Sequence, residues 1–366
     1  FFFAHNMSMS KLRGAVMPGD VVAVTGATGY IGAHICNRLL QRGFKVRALV
    51  RDRSDEAKVG HLNAMAQAHP AGTLTLLNGD LTVPESYDEA FEGAHGVVHS
   101  AAVVEMFEMT DAQRRIVEPH VEGTRNVLNA LDRSSTVKRL VHTSSIAAVQ
   151  SCDKPDGHTF SEGDWNVWSQ VENGDPYGYA KTQAERLVHD HVQGRPYDYA
   201  VVNPGVVLGP CLAKAHTKAS VILLRNMVFG NEVNSWFATY VDVRDTAEVH
   251  CEALVRPEAA GQRFVTVAKE SAWVTDLVGP LQQLFPEYKI DAKTRPGYQI
   301  ALAKFLFNFG LILTPFQRHM LDRKYFFDNS RVRDVLGVEF RDFNETLRDS
   351  VVSMVDGGWV KPRPKK

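Results

Sequence analysis

Thr25-Gly26-Ala27-Thr28-Gly29-Tyr30-Ile31-Gly32 follows an apolar, β-branched run over 21–25 and opens an amphipathic stretch over 30–41. Strand, glycine-rich turn and helix in that order predict the first βα unit of a parallel sheet. Gly26 permits the tight turn, Gly29 lets backbone N–H groups approach a pyrophosphate, and Gly32 lets the helix pack closely on the strand. A ligand-free glycine turn would have the same composition, so the weight lies in the position of the turn between strand and helix.

Working outward, further strands are expected at 45–50, 73–78, 96–100, 140–143 and 199–203, with helices at 85–91, 111–132 and 177–191. This alternation predicts an α/β protein, a doubly wound parallel (Rossmann) sheet over residues 20–203. After Asn203 the pattern is broken by Pro204, Gly205, Gly209 and Pro210. The C-terminal half, 204–358, reads as a smaller, mixed α/β substrate lobe, with 242–267 returning to the first domain. Residues 1–19 read as a leader and 359–366 as a solvated tail.

The bulk composition excludes several classes. Across 366 residues, 41 Lys+Arg stand against 42 Asp+Glu, a formal charge of -1, so no nucleic-acid partner is expected. Cys36, Cys152, Cys211 and Cys251 are scattered with no CxxC pair, which argues against a disulfide framework or a metal site and for a reducing compartment. No Lys/Arg-flanked apolar segment precedes the first strand, so a cytoplasmic protein is expected, with an organelle matrix as the alternative. The chain opens Phe1-Phe2-Phe3, with Met7 and Met9 as alternative starts. The apolar run 300–316 is interrupted by Lys304 and Asn308 and stopped by Pro315, short of the ~20 residues a spanning helix needs. It reads as a lid or core helix, with a membrane-surface or subunit contact as the alternative; homodimer and larger complex stay open.

The cofactor side can be read residue by residue. Arg51 ends the second strand, where a carboxylate would suit the ribose 2′-OH of NAD(H). A guanidinium there suits a 2′-phosphate, so NADP(H) is expected, while the adjacent Asp52 keeps NAD(H) open. Asp80, followed by Leu81, stands where adenine would lie, or serves as a cap. Ser100, Ala101 and Ala102 close the fourth strand with small side chains, as a backbone against a flat cofactor requires. The expected cofactor set is Gly26, Thr28, Gly29, Tyr30, Ile31, Gly32, Arg51, Asp80, Leu81, Ser100, Ala101, Ala102, Thr143, Tyr177 and Lys181, and no metal is expected.

Tyr177 and Lys181 lie four apart at the start of a helix, hence on one face. A nearby ammonium stabilises a phenolate, so Lys181 is expected to lower the pKa of Tyr177 and hold the nicotinamide ribose, with Tyr177 as general acid. His142-Thr143-Ser144-Ser145 ends the preceding strand. Ser145 is expected to orient a carbonyl oxygen toward Tyr177, with Ser144 the fallback; a serine pair in a turn or cap is the bland alternative.

TGATGYIG, HTSSIAAV and YGYAK together resemble the extended short-chain dehydrogenase/reductase superfamily, and VRALVRD, EGTRNVLNA and VVNPGVVLGP bring the chain close to its dihydroflavonol 4-reductase-like group. The resemblance spans about residues 20–358. It implies NADPH-dependent reduction of a ketone or aldehyde, Ser145, Tyr177 and Lys181 as the catalytic triad, Arg51 on the 2′-phosphate, and Pro204 and Val207 at the nicotinamide end. It also puts Thr124 and Asn126 on the helix beneath the cofactor. The segment 152–173, with Trp165 and Trp168, and Trp273 depart from the flavonoid enzymes, so flavonoid specificity is not implied.

On the substrate side, 103–107, Cys211-Leu212 and Trp236-Phe237 would flank the crevice and favour a bulky or hydrophobic carbonyl compound. His189 and His191 read as packed rather than metal-binding residues. Alternative readings are a 3β-hydroxysteroid-type dehydrogenase and a non-catalytic NADP(H)-binding subunit of a larger complex. A sugar-nucleotide epimerase fits Arg51 and the aromatic lining less well.

Overall fold

A computed structural model describes residues 16–365 apart from 71, 103–110, 232, 234, 269–270, 293–301, 303–304, 308–312 and 322. The expected crevice segment 103–107, most of 300–316 and the start of the chain therefore lie outside the described residues.

Seven strands form one parallel sheet. In chain order they are β1 (Val21–Thr25), β2 (Lys45–Val50), β3 (Leu74–Asn78), β4 (Gly96–His99), β5 (Arg139–Thr143), β7 (Asp198–Pro204) and β10 (Arg263–Thr266), arranged β10-β7-β5-β4-β1-β2-β3. Strand β1 is central, with Val24 opposite Ala48 of β2 and Val98 of β4. The chain builds outward on one side of β1 and returns on the other, so the crevice at the carboxyl ends opens between β1 and β4. Those central strands are apolar on both faces because both faces are covered. Helices α1 (Tyr30–Gln41) and α7 (Val243–Val255) cover one face through Ile35, Leu39, Val249 and Leu254. Helices α3 (Asp88–Phe91), α4 (Glu118–Arg133) and α5 (Pro176–His191) cover the other through Phe91, Leu128 and Val188.

Two local departures have physical causes. Helix α2 (Glu56–Gln67) between β2 and β3 is absent from the expected pattern because it buries only Val59 and Leu62 and has almost no amphipathic signal. The expected helix 111–132 begins as a π-turn, Gln113–Val117, before α4. Pro119, in the first turn of α4, has no N–H to continue a regular ladder, and a wider turn precedes it.

At Gly205 the chain leaves the main sheet. A Cβ there would stand 2.5 Å from the Thr239 carbonyl, so only glycine admits this crossing. Strand β8 (Val206–Leu208) then pairs in parallel with β9 (Phe237–Asp242), and β9 with antiparallel β11 (Ser271–Trp273). This small mixed sheet packs with α6 (Ile222–Phe229), α8 (Val278–Leu284) and α11 (Phe343–Asp356) around Leu224, Met227, Leu281 and Val351. The remaining described elements are the short parallel pair β6 (Thr159–Phe160) and β12 (Phe326–Phe327), α9 (Pro315–Met320) and α10 (Ser330–Leu336). Among the described residues no helix is long and apolar enough to cross a membrane.

Candidate active site

The glycine turn lies at the carboxyl end of β1. Gly26 has φ +68°, and a Cβ on it would meet the Ala101 backbone at 2.7 Å; a Cβ on Gly32 would stand 2.2 Å from the Gly26 carbonyl. Turn, helix and the end of β4 therefore touch backbone to backbone. Gly29 is the N-cap residue of α1; no side chain caps the helix and no acid lies in its first turn. Its first amides and the positive end of its dipole are left for an anion. The Tyr30 hydroxyl donates to the Gly209 carbonyl at 2.8 Å, so its side chain ties α1 to the second lobe and only its backbone belongs to the turn. Thr28 is held through its carbonyl, 3.2 Å from His216 Nε2, and Ile31 packs into both cores.

Arg51 is exposed, and no hydrogen bond or ion pair among the described residues fixes its guanidinium. Its field reaches Asp80, whose carboxylate accepts from the Thr82 backbone at 2.8 Å and hydroxyl at 2.7 Å. Asp80 thus closes a turn rather than capping a helix. Asp52 accepts from the Ser54 amide at 2.9 Å and hydroxyl at 2.5 Å, which holds its carboxyl below the usual range. The carboxylate that kept NAD(H) open is engaged locally, and the guanidinium beside it is free. Leu81 packs against Gly123, and its carbonyl accepts from Asn126 at 3.0 Å. Ser100, Ala101 and Ala102 lie half-buried at the end of β4, with the Ala101 amide donating to Thr25 Oγ1 at 3.2 Å.

Helix α5 starts sharply because Asp175 caps it, Oδ1 accepting from the Gly178 amide at 2.9 Å, and Pro176 occupies its first turn. That start aims Tyr177 and Lys181 at the end of β5. The Ser145 hydroxyl accepts from the Ala147 amide at 3.2 Å, so the cap reading of the serine is realised, and it faces the Tyr177 phenol. Ser144 is committed elsewhere, donating to the buried Glu185 at 2.5 Å. This leaves Ser145 as the serine facing the phenol. Lys181 is buried; its ammonium donates to the Thr143 carbonyl at 3.3 Å and stands 6.0 Å from the centre of the Tyr177 ring. Thr143 contributes that carbonyl, since its hydroxyl turns the other way, 2.8 Å from His250 of α7.

The expected lowering of the Tyr177 pKa by Lys181 is corrected by the structure. Burial pushes the phenol up to about 12, with the Ser145 hydroxyl pulling down and Asp175 pushing up. Loss of phenolate hydration outweighs the Ser145 hydroxyl, the one influence that opposes it. The same burial brings Lys181 down to about 8, opposed by Glu185. At neutral pH the pair is a protonated phenol beside an ammonium, the state of a proton donor.

A network the motifs did not announce supports this pair. Glu185, one turn after Lys181, accepts from Arg263 of β10 at 2.5 Å, Asn203 of β7 at 2.8 Å and Ser144. Arg263 also donates to the Glu162 and Asp164 carbonyls at 3.0 and 2.5 Å and lies 4.0 Å from the Trp165 ring centre. The segment 152–173 is thereby fastened beside the site. The available signal was Glu185 itself, a carboxylate at i+4 from a lysine on a sheet-facing helix.

Pro204 ends β7 at the crevice, and Val207 is buried in β8. Thr124 bonds the His120 carbonyl within α4 at 2.8 Å. Cys211 and Leu212 pack rather than line a crevice: the Cys211 amide is held by Ser353 at 2.8 Å, burial pushes its thiol up to about 12, and Leu212 joins the α1–α7 core. Phe237 meets Trp273 and Phe326 edge-on, with centroids 5.8 and 5.4 Å apart, and Trp236 packs in the second lobe. His189 bonds Tyr199 at 2.6 Å and His191 bonds Asp132 at 2.9 Å. A cavity of about 730 Å³ between α1 and α7 lies apart from this chemistry; its charges pair with one another, as in Arg38–Glu248 and Arg341–Asp245.

A family model described as NAD dependent epimerase/dehydratase family matches residues 22–268. Cinnamoyl-CoA reductase 1 of Petunia hybrida is 33% identical over 351 residues, 93% of each chain. Dihydroflavonol 4-reductase of Gerbera hybrida is 33% identical over 279 residues, 74% of each. The yeast methylglyoxal/isovaleraldehyde reductase, solved as a complex with NADPH, superposes with a TM-score of 0.75 at 25% identity, covering 93% of this chain and 100% of that one.

Proposed function

Because the chain belongs to the NAD dependent epimerase/dehydratase family, in the dihydroflavonol 4-reductase-like group of extended short-chain dehydrogenases/reductases, we propose that it reduces a bulky or hydrophobic ketone or aldehyde with NADPH. It is an NAD(P)-dependent oxidoreductase acting on C=O and CH–OH groups. The observation that carries the finer reading is the Ser145 hydroxyl facing the Tyr177 phenol, with the Lys181 ammonium behind it.

The residues fit the cofactor. The uncapped amides of α1 and the Gly26 turn would hold the pyrophosphate, and the free Arg51 guanidinium would bind a 2′-phosphate bidentately. Asp80, Leu81 and the small residues 100–102 would flank the adenine half, and Pro204 and Val207 the nicotinamide half. When bound, the dihydronicotinamide supplies the hydride. Ser145 donates to the carbonyl oxygen and fixes its direction. Tyr177, kept protonated by burial, gives its proton to that oxygen as negative charge develops. Lys181 stabilises the phenolate left behind and holds the ribose.

We assign residues 20–203 with 242–267 to cofactor binding and the rest of 204–358 mainly to the substrate. The aromatic group Phe237, Trp273 and Phe326 supports a hydrophobic substrate. The four free, buried cysteines support a reducing compartment such as the cytoplasm. The test is oxidation of NADPH, compared with NADH, by a panel of aromatic and aliphatic aldehydes and ketones. Turnover by Tyr177→Phe as fast as wild type would sink the mechanism.

A further inference from the structure

Ser145 and Tyr177 stand on separate elements, just past the end of β5 and at the start of α5, and a buried chain of polar side chains from the segment 152–173 joins the two. At its centre is Asn166. Its Nδ2 donates to the Ala147 carbonyl at 2.8 Å and to the Ser169 hydroxyl at 2.7 Å, and its Oδ1 accepts from the Trp168 and Ser169 amides at 3.2 and 3.0 Å. A carbonyl only accepts and an amide N–H only donates, so the carboxamide fits in one orientation. Ser169 then donates its own hydrogen to Asp175 Oδ2 at 2.5 Å, and Asp175 Oδ1 accepts from the Gly178 amide at 2.9 Å as the cap of α5. At the other end, Ala147 lies in the single turn Ile146–Ala148 that Ser145 caps, and its amide is the donor to Ser145 Oγ. One residue, Ala147, thus meets the serine hydroxyl with its N–H and Asn166 with its C=O.

We propose that Asn166 is a positioning residue for the reduction: it joins the turn of Ser145 to the Ser169–Asp175 cap of α5 and so holds the serine hydroxyl and the Tyr177 phenol at one separation. The proposal rests on the reading of those two hydroxyls as the groups that receive the carbonyl oxygen. Apolar packing is non-directional and fixes the distance between a strand and a helix loosely, whereas hydrogen bonds fix it through direction as well as length. A misplacement of about 1 Å at reacting groups can cost about 10²-fold in rate. The flanks of Asn166 are themselves anchored. Trp165 lies against the Arg263 guanidinium, 4.0 Å from its ring centre, the Asn166 amide donates to the Ala148 carbonyl at 2.9 Å, and the Val167 amide donates to Ser151 Oγ at 3.3 Å. Cutting any link of a buried, fully used chain leaves its neighbours without partners, so the two hydroxyls lose their common reference.

The test follows Asn166→Ala and Ser169→Ala, each alone and combined with Ser145→Ala. Steady-state reduction of cinnamaldehyde with NADPH gives kcat, NADPH binding is titrated by fluorescence, and nitrogen-15 spectra report the backbone amides of Ala147 and Gly178. Each single variant is expected to lose about tenfold in kcat, the worth of one hydrogen bond, with NADPH affinity unchanged. In the Ser145→Ala background the same substitutions are expected to cost little further, because the hydroxyl they position is gone. Ser169→Ala should move the Ala147 resonance and Asn166→Ala the Gly178 resonance, each at the far end of the chain from the change. The proposal is overturned if kcat is kept, if the losses are as large without the Ser145 hydroxyl as with it, or if the far resonances stay in place. Where Asn166→Ala does not fold, Ser169→Ala, which leaves Asn166 able to reach Ala147, decides by the same readings. If wild type reduces no carbonyl, the reductase reading fails, and the two resonances still decide the link.

Discussion

Glu185 and Arg263 are paired at 2.5 Å in the interior, both almost wholly shielded from water, and together they join α5, β10 and the segment carrying Trp165. Removing one partner leaves a buried charge and strands Ser144 and Asn203 as well. Glu185→Ala should therefore destabilise by about 3–5 kcal/mol. Denaturant unfolding measures this; a change within 0.5 kcal/mol, about that of an ordinary surface substitution, would refute the network's role.

Tyr177→Phe removes the proton donor and keeps the ring. A loss of about 10²–10⁴-fold in kcat is expected, the range for general acid–base groups, with NADPH affinity preserved. Initial rates and a binding titration check both halves. Ser145→Ala should also lower kcat, whereas Ser144→Ala should act chiefly on stability through Glu185.

The Lys181 ammonium, brought down to about 8, loses its proton within an accessible range. In the protein without cofactor, NADPH affinity should fall as pH rises through about 8, because a cation at the ribose is lost. The stability effect has the opposite sign. Between about 8 and the ordinary lysine value the unfolded chain binds the extra proton, so stability rises with pH there. Lys181→Met should consequently be more stable than wild type at pH 7 by on the order of 1–3 kcal/mol, and this gain should shrink at high pH. Chemical denaturation at pH 7 and pH 10 tests it.

Arg51→Ala should raise the KM for NADPH about 10–100-fold, the scale of a charge-assisted bidentate contact, and leave the KM for NADH nearly unchanged. Equal losses with both cofactors would place the guanidinium elsewhere than on a 2′-phosphate.

His34, His120, His216 and His250 are buried and held near 4, and His99 near 3, in each case mainly by burial. Below the ordinary imidazole value of about 6.5 the unfolded chain takes up these protons first. Stability is therefore complete above about pH 6.5 and is lost as pH falls toward 4. Unfolding midpoints that stay level between pH 7 and pH 5 would contradict this.

How much was legible follows from range. TGATGYIG, the alternating β-branched runs and YGYAK are local patterns, and backbone sterics and side-chain periodicity make their structural meaning nearly context-free. They determined the parallel sheet, the glycine turn at the end of β1 and the shared face of Tyr177 and Lys181. Helix α2 escaped because its pattern has little contrast, and the π-turn because Pro119 acts on the turn before it. What only tertiary structure decided depended on groups far apart in the chain. Ser145 rather than Ser144 faces the phenol because Glu185 takes Ser144, and Glu185 is held in place by Arg263, 78 residues later, which lies against it. The Tyr177 pKa rises because burial, a property of the assembled interior, outweighs the Ser145 hydroxyl that opposes it. Spacing places side chains on a face; desolvation and long-range pairing settle what those side chains do there.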